Sequence, residues 1–89
     1  MRTKKGYTLR PLGMEYILVA EGLEVADASR MISMNSTAAF LWQEVEGKEF
    51  DAQTLADILI DNWKISPETA KNDVAALLKS WVAAEIVED

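Results

Sequence analysis

The chain contains no cysteine and no histidine among its 89 residues. That removes disulfides, thiolate nucleophiles, imidazole bases and most transition-metal sites, leaving carboxylates, hydroxyls and lysines for any chemistry. Prolines number two and glycines four, so breaks in the pattern are few and each one marks a boundary. No apolar run approaches the roughly 18 residues of a membrane span. No apolar signal core follows the basic start, and the expected setting is the cytoplasm. Cations are also scarce. Of nine, four (Arg2, Lys4, Lys5 and Arg10) precede the first acid, leaving five against fifteen acids from Pro11 onward, a balance of -10. A nucleic-acid groove is hard to build from that charge.

What is present suits one small domain. A chain of this length buries only somewhat over ~60% of its unfolded surface, and its 49% apolar content suffices for a single core. Residues 1–6 read as a flexible, basic N-terminal lead able to touch an acidic partner, with the domain spanning 7–89. Tyr7 to Leu12 and Met14 to Glu21 read as two strands joined by a tight turn at Leu12-Gly13. Both faces of the second are apolar, Tyr16, Leu18 and Ala20 on one and Ile17 and Val19 on the other. One face can meet helices, so the other calls for a cover. A loop bearing Glu21, Glu24 and Asp27 leads to a third strand, Arg30 to Met34, and completes an antiparallel meander.

That third strand turns into a helix with no spacer. Asn35 is a preferred N-cap; Ala38, Leu41, Trp42 and Val45 then share one helical face with Phe40 at its margin, and Gly47 ends the helix. Asp51 caps a second helix with the stripe Leu55, Ile58, Leu59 and Trp63. Ser66-Pro67-Glu68 starts a third, which carries Ala70, Val74, Leu77, Leu78 and Trp81 inward. Ile86 and Val87 pack back onto the body. The three tryptophans, one per helix, are expected to pin the helices together. The fold class is thus α+β, winged-helix-like, a three-stranded antiparallel sheet followed by three helices.

Catalysis finds little support. Ser33, Ser36 and Thr37 have no base to activate them, and Asp57 and Asp61, four residues apart, read as a solvated helix face rather than an acid/base or metal pair. No catalytic residue, metal or cofactor is assigned. A winged helix also suggests DNA, but residues 66–89 hold Lys71 and Lys79 against Glu68, Asp73, Glu85, Glu88 and Asp89, a face that repels phosphates. What remains is an edge. The third strand has one neighbour in the meander, and Met31, Ile32 and Met34 offer neither inward charge nor proline to block further pairing. An extended peptide could add there as a strand, or a second copy of the chain could occupy it as a structural or regulatory homodimer.

The run Arg30-Met31-Ile32-Ser33-Met34-Asn35-Ser36-Thr37-Ala38-Ala39-Phe40-Leu41-Trp42 resembles the PqqD family signature, a strand followed by N-x-T-A-x-x-hydrophobic-W. The Ile17 to Gly22 stretch, Gly47, and Asp73-Val74-Ala75-Ala76-Leu77-Leu78 extend the likeness. Members of that family are small recognition elements for ribosomally made precursor peptides. The resemblance implies a leader peptide lying along the third strand, in a groove against the third helix, presented to a modifying enzyme such as a radical S-adenosylmethionine protein, as in pyrroloquinoline quinone (PQQ) biosynthesis. Carried onto this chain, the peptide-binding residues are Arg30, Met31, Ile32, Ser33 and Met34 on the strand and Lys71, Val74, Ala75, Leu78 and Val82 on the helix, with Arg30 and Lys71 meeting acidic leader residues. The loop from Gly22 to Ser29 is longer than the tight connection of the family, so the register of that turn is not carried over.

Overall fold

A computed structural model of the chain describes residues 1–20 and 31–88; the expected acidic loop and Arg30 lie outside them. The elements in order are β1 (Arg2–Thr3), β2 (Tyr7–Leu12), β3 (Glu15–Ala20), β4 (Met31–Met34), α1 (Ser36–Val45), α2 (Ala52–Trp63), α3 (Pro67–Ala83) and β5 (Val87–Glu88). The fold is α+β, a three-stranded antiparallel sheet in the order β2-β3-β4 followed by three helices.

The β2–β3 turn uses Gly13 and Met14, with Gly13 at φ 64, a left-handed conformation that glycine adopts without a Cβ clash. β3 therefore begins at Glu15, one residue later than the hydrophobic pattern suggests. Across the long connection, β4 lies on β3 with Val19 opposite Met31, Leu18 opposite Ile32, Ile17 opposite Ser33 and Tyr16 opposite Met34. Cross-strand partners share a face, so Leu18, Ile32, Tyr16 and Met34 turn toward the helices. Ile17, Val19, Met31 and Ser33 turn away from them.

Each helix starts on the cap expected for it. The Asn35 side chain accepts from the Ala38 N–H at 2.8 Å. Asp51 accepts from the Thr54 N–H at 2.9 Å while Thr54 Oγ1 accepts from the Asp51 N–H at 3.3 Å, a reciprocal capping box. Ser66 accepts from the Thr69 N–H at 3.1 Å, with Pro67 next in line. α1 packs on β3 and β4, and α2 lies against α3. Leu18 from the sheet, Leu41, Trp42 and Val45 from α1, Leu55 from α2 and Val74 from α3 are buried together in the core.

Trp42 and Trp81 meet edge to face at 5.4 Å, and Phe50 stands edge-on to Trp81 at 6.5 Å. Among the described residues the Trp42 N–H finds no acceptor, and an unmet indole N–H costs roughly 1–3 kcal/mol. Burying an indole of ~150–250 Å² gains about 4–6 kcal/mol, so burial wins. Trp63 joins α2 to α1 as expected of a pinning tryptophan but corrects the expectation that it faces the core. It is the last residue of α2 and 42% exposed, beyond the reach of the core, and it packs edge to face on Phe40 at 5.3 Å.

The lead at residues 1–6, expected to be flexible and outside the domain, is paired with the body of the chain. Arg2 and Thr3 pair with Glu88 and Val87, the Lys4 N–H donates to the Ile86 carbonyl at 2.9 Å, and the Phe50 N–H donates to the Met1 carbonyl at 2.8 Å. Ile86 and Val87 are buried by this arrangement. The physical reason is backbone supply. The C-terminal segment and the α1–α2 link each present unpaired groups, and the lead satisfies both. Glu49 adds contacts to the Met1 amino group at 3.0 Å and Arg2 at 2.9 Å, exposed pairs of small individual worth.

Two outcomes follow. Trp81→Ala is expected to cost roughly 3–5 kcal/mol and Trp63→Ala about 1 kcal/mol, read from urea denaturation midpoints; equal losses would contradict the burial difference. The Glu49 carboxyl is held below the usual glutamate value, first by the hydrogen bond from the Met1 amino group and then by that from Arg2. A depressed folded-state value means that its contribution is present above the unfolded value and lost as pH falls through the folded one. Stepping down from about pH 5, the amide resonances of Thr3 and Phe50 should shift with the Glu49 titration, and Glu49→Gln should abolish that step.

Candidate functional site

The sheet has two edges, and they differ in how they are guarded. β2 carries Pro11 and Arg10, and proline cannot donate to a further ladder. β4 reads Met-Ile-Ser-Met, with neither proline nor charge. Among the described residues β3 is the strand that pairs with β4, so the other side of β4 is an open edge of the sheet. Met31 is 68% exposed beside this edge, Ser33 is exposed, Ile32 is half-buried and Met34 is in the core.

The residues proposed on α3 grade from core to solvent around one flank. Val74 is buried, Leu78 is half-buried, and Lys71, Ala75 and Val82 are exposed, Val82 by 55%. The gradation follows the helical period, since successive positions 74, 78, 71, 82 and 75 step steadily away from the buried line of Ala70, Val74 and Trp81. Met34 and Val74 belong to one buried cluster, against which Ile32 and Leu78 pack. Strand and helix sets are thus joined through the core. Met34 and Val74, expected as contact residues, are buried. Arg30 lies outside the described residues.

Position along the chain explains the edge. Asn35 caps α1 immediately after Met34, so β4 cannot lengthen at that end, and α1 on the inner side holds the strand in place. The carboxylates considered for catalysis sit elsewhere. Asp57 and Asp61 are exposed on α2, and Asp57 accepts from Gln53 Nε2 at 2.8 Å. Among the described residues no cluster of acidic side chains could hold a metal ion, and no helix is long and apolar enough to cross a membrane. A concave feature between residues 2–7 and 46–49 escaped the sequence reading, because only folding brings the lead beside the α1–α2 link.

An antiparallel meander with one unguarded edge, followed by three helices, defines the class of domain. The same fold occurs in a solved structure, TbiB1 in complex with the TbiA(beta) leader peptide, which matches with a TM-score of 0.74 at 15% identity, over 99% of this chain and 95% of that chain. Residues 15–87 match the family described as coenzyme PQQ synthesis protein D (PqqD), and the chain belongs to that family. Among curated proteins none matches the chain significantly.

The cap that ends β4 is open to test. Asn35→Ala should lower stability by about 1 kcal/mol in urea denaturation and loosen the first turn of α1, seen as faster exchange of the Ala38 amide. Unchanged exchange there would mean the strand-to-helix corner is held by packing instead.

Proposed function

We propose that the chain is a non-catalytic adaptor that binds the leader of a ribosomally made precursor peptide by strand addition and presents it to a modifying enzyme. The observation that carries this reading is the unguarded edge of β4 in a chain of the PqqD family. Support comes also from the fold shared with TbiB1, which was solved with a leader peptide. In this reading the peptide backbone pairs with β4 at Met31, Ile32 and Ser33, and its side chains rest against Lys71, Ala75, Leu78 and Val82 over a floor of Met34 and Val74. Backbone bonds supply affinity and the side-chain surface supplies selectivity. Lys71, together with Arg30, favours acidic leader residues.

The partner enzyme is one that modifies peptides, for which a radical S-adenosylmethionine protein is the first candidate; coenzyme PQQ biosynthesis is the setting the family description favours, and the cytoplasm is the compartment expected from the sequence. The adaptor needs no cofactor of its own. Titration of the protein with a synthetic precursor leader, followed by backbone amide shifts, tests the reading. Met31→Lys places a charge beside the edge without touching the core and should weaken binding at least about tenfold with an unchanged melting temperature. Wild-type affinity in that variant would remove β4 from the site. The open edge also favours a second occupant, another copy of this chain. In that case sedimentation shows a dimer that Met31→Lys dissociates, and the leader fails to bind while the dimer persists.

A further inference from the structure

The cleft between residues 2–7 and 46–49 encloses about 430 Å³, within the range of volumes that receive a ligand. Its walls are held by specific bonds. The Gly47 N–H donates to Thr3 Oγ1 at 3.2 Å, Thr3 is 6% exposed, and the adjoining Lys4 N–H is tied to Ile86.

The lining is cationic in an anionic protein. Arg2, Lys4, Lys5 and Lys48 oppose Glu46 and Glu49 there, while the whole chain carries -6. Glu49 is already engaged by Arg2 and the Met1 amino group. Lys4, Lys5 and Lys48 form no ion pair among the described residues. Lysines that line one cleft give it a positive potential, which an anion placed there lowers.

We propose that this cleft docks an acidic peptide segment, whose carboxylates meet Lys4, Lys5 and Lys48. The acidic remainder of the surface repels a long polyanion such as nucleic acid. A short acidic stretch fits within the cleft, and screening over about 8 Å at physiological salt shields it from charges farther off. The volume admits several side chains, more than one inorganic anion fills. The inference stands apart from strand addition at β4, since the two sites share no residue.

The probe is acetyl-tetraglutamate amide, titrated into the full chain at about 0.15 M salt with acetyl-tetraglutamine amide and inorganic phosphate as parallel arms. Saturable amide shifts confined to residues 4–6 and 46–48 are expected with the glutamate peptide and absent with the glutamine one. The variant Lys4→Gln/Lys5→Gln/Lys48→Gln should bind about tenfold more weakly, whereas Lys64→Gln/Lys79→Gln should bind as wild type. If the triple variant loses its amide dispersion, Lys48→Glu on the exposed link provides the same reading. Shifts spread equally over Lys64 and Lys79, unchanged affinity in the cleft variants, or phosphate binding as tightly as the glutamate peptide would each overturn the proposal.

Discussion

Trp81 stands between Trp42 and Phe50, with ring centroids 5.4 and 6.5 Å away and planes close to perpendicular. Through these contacts one side chain of α3 locates both α1 and the link that follows it. Because Asn35 caps α1 directly at the end of β4, whatever fixes α1 against α3 also fixes the edge strand relative to the helix flank from Lys71 to Val82. The geometry of the outer site is therefore inherited from an aromatic contact in the core that no ligand would touch. Close-packed interiors transmit such constraints because they have little room to adjust.

Charge is distributed with similar economy. Lysines and arginines are too few to make a general anion-binding surface, yet four of the nine line one cleft. The lead that carries three of them is ordered by backbone pairing with Val87 and Glu88 and with the α1–α2 link, and ordering is what turns loosely tethered charges into a located set. The edge of β4 contrasts with it, for Met31–Met34 carry neither charge nor proline.

Local chemistry was the most legible part of the sequence. Asn35, Asp51 and Ser66 were each readable as N-caps because capping depends on residues three apart, and all three accept the expected amide bond. Helical faces were legible for the same reason, down to the burial of Leu41, Trp42 and Val45. Trp63 misled because periodicity says which side of a helix a residue faces but not whether the core extends to that helix end. β1 and β5 could not be read at all. They are two residues each, some 85 positions apart, and too short to show alternation. The edge character of β4 was inferable from the order of a meander, whereas the burial of Met34 required knowing that α1 packs on β3 and β4.

The brevity of β4 sets a limit on how any guest strand would be held. It has four residues, and an antiparallel strand directs alternate residues toward its existing partner, so about two remain to offer N–H and C=O outward. Some four bonds at a net 0.5–1.5 kcal/mol apiece give roughly 2–6 kcal/mol, short of the ~8 kcal/mol of a micromolar complex. A ladder with so few rungs lets go quickly. Residence time would then be set by side chains at the rim, a balance that suits the proposed handing-on of a chain better than its storage.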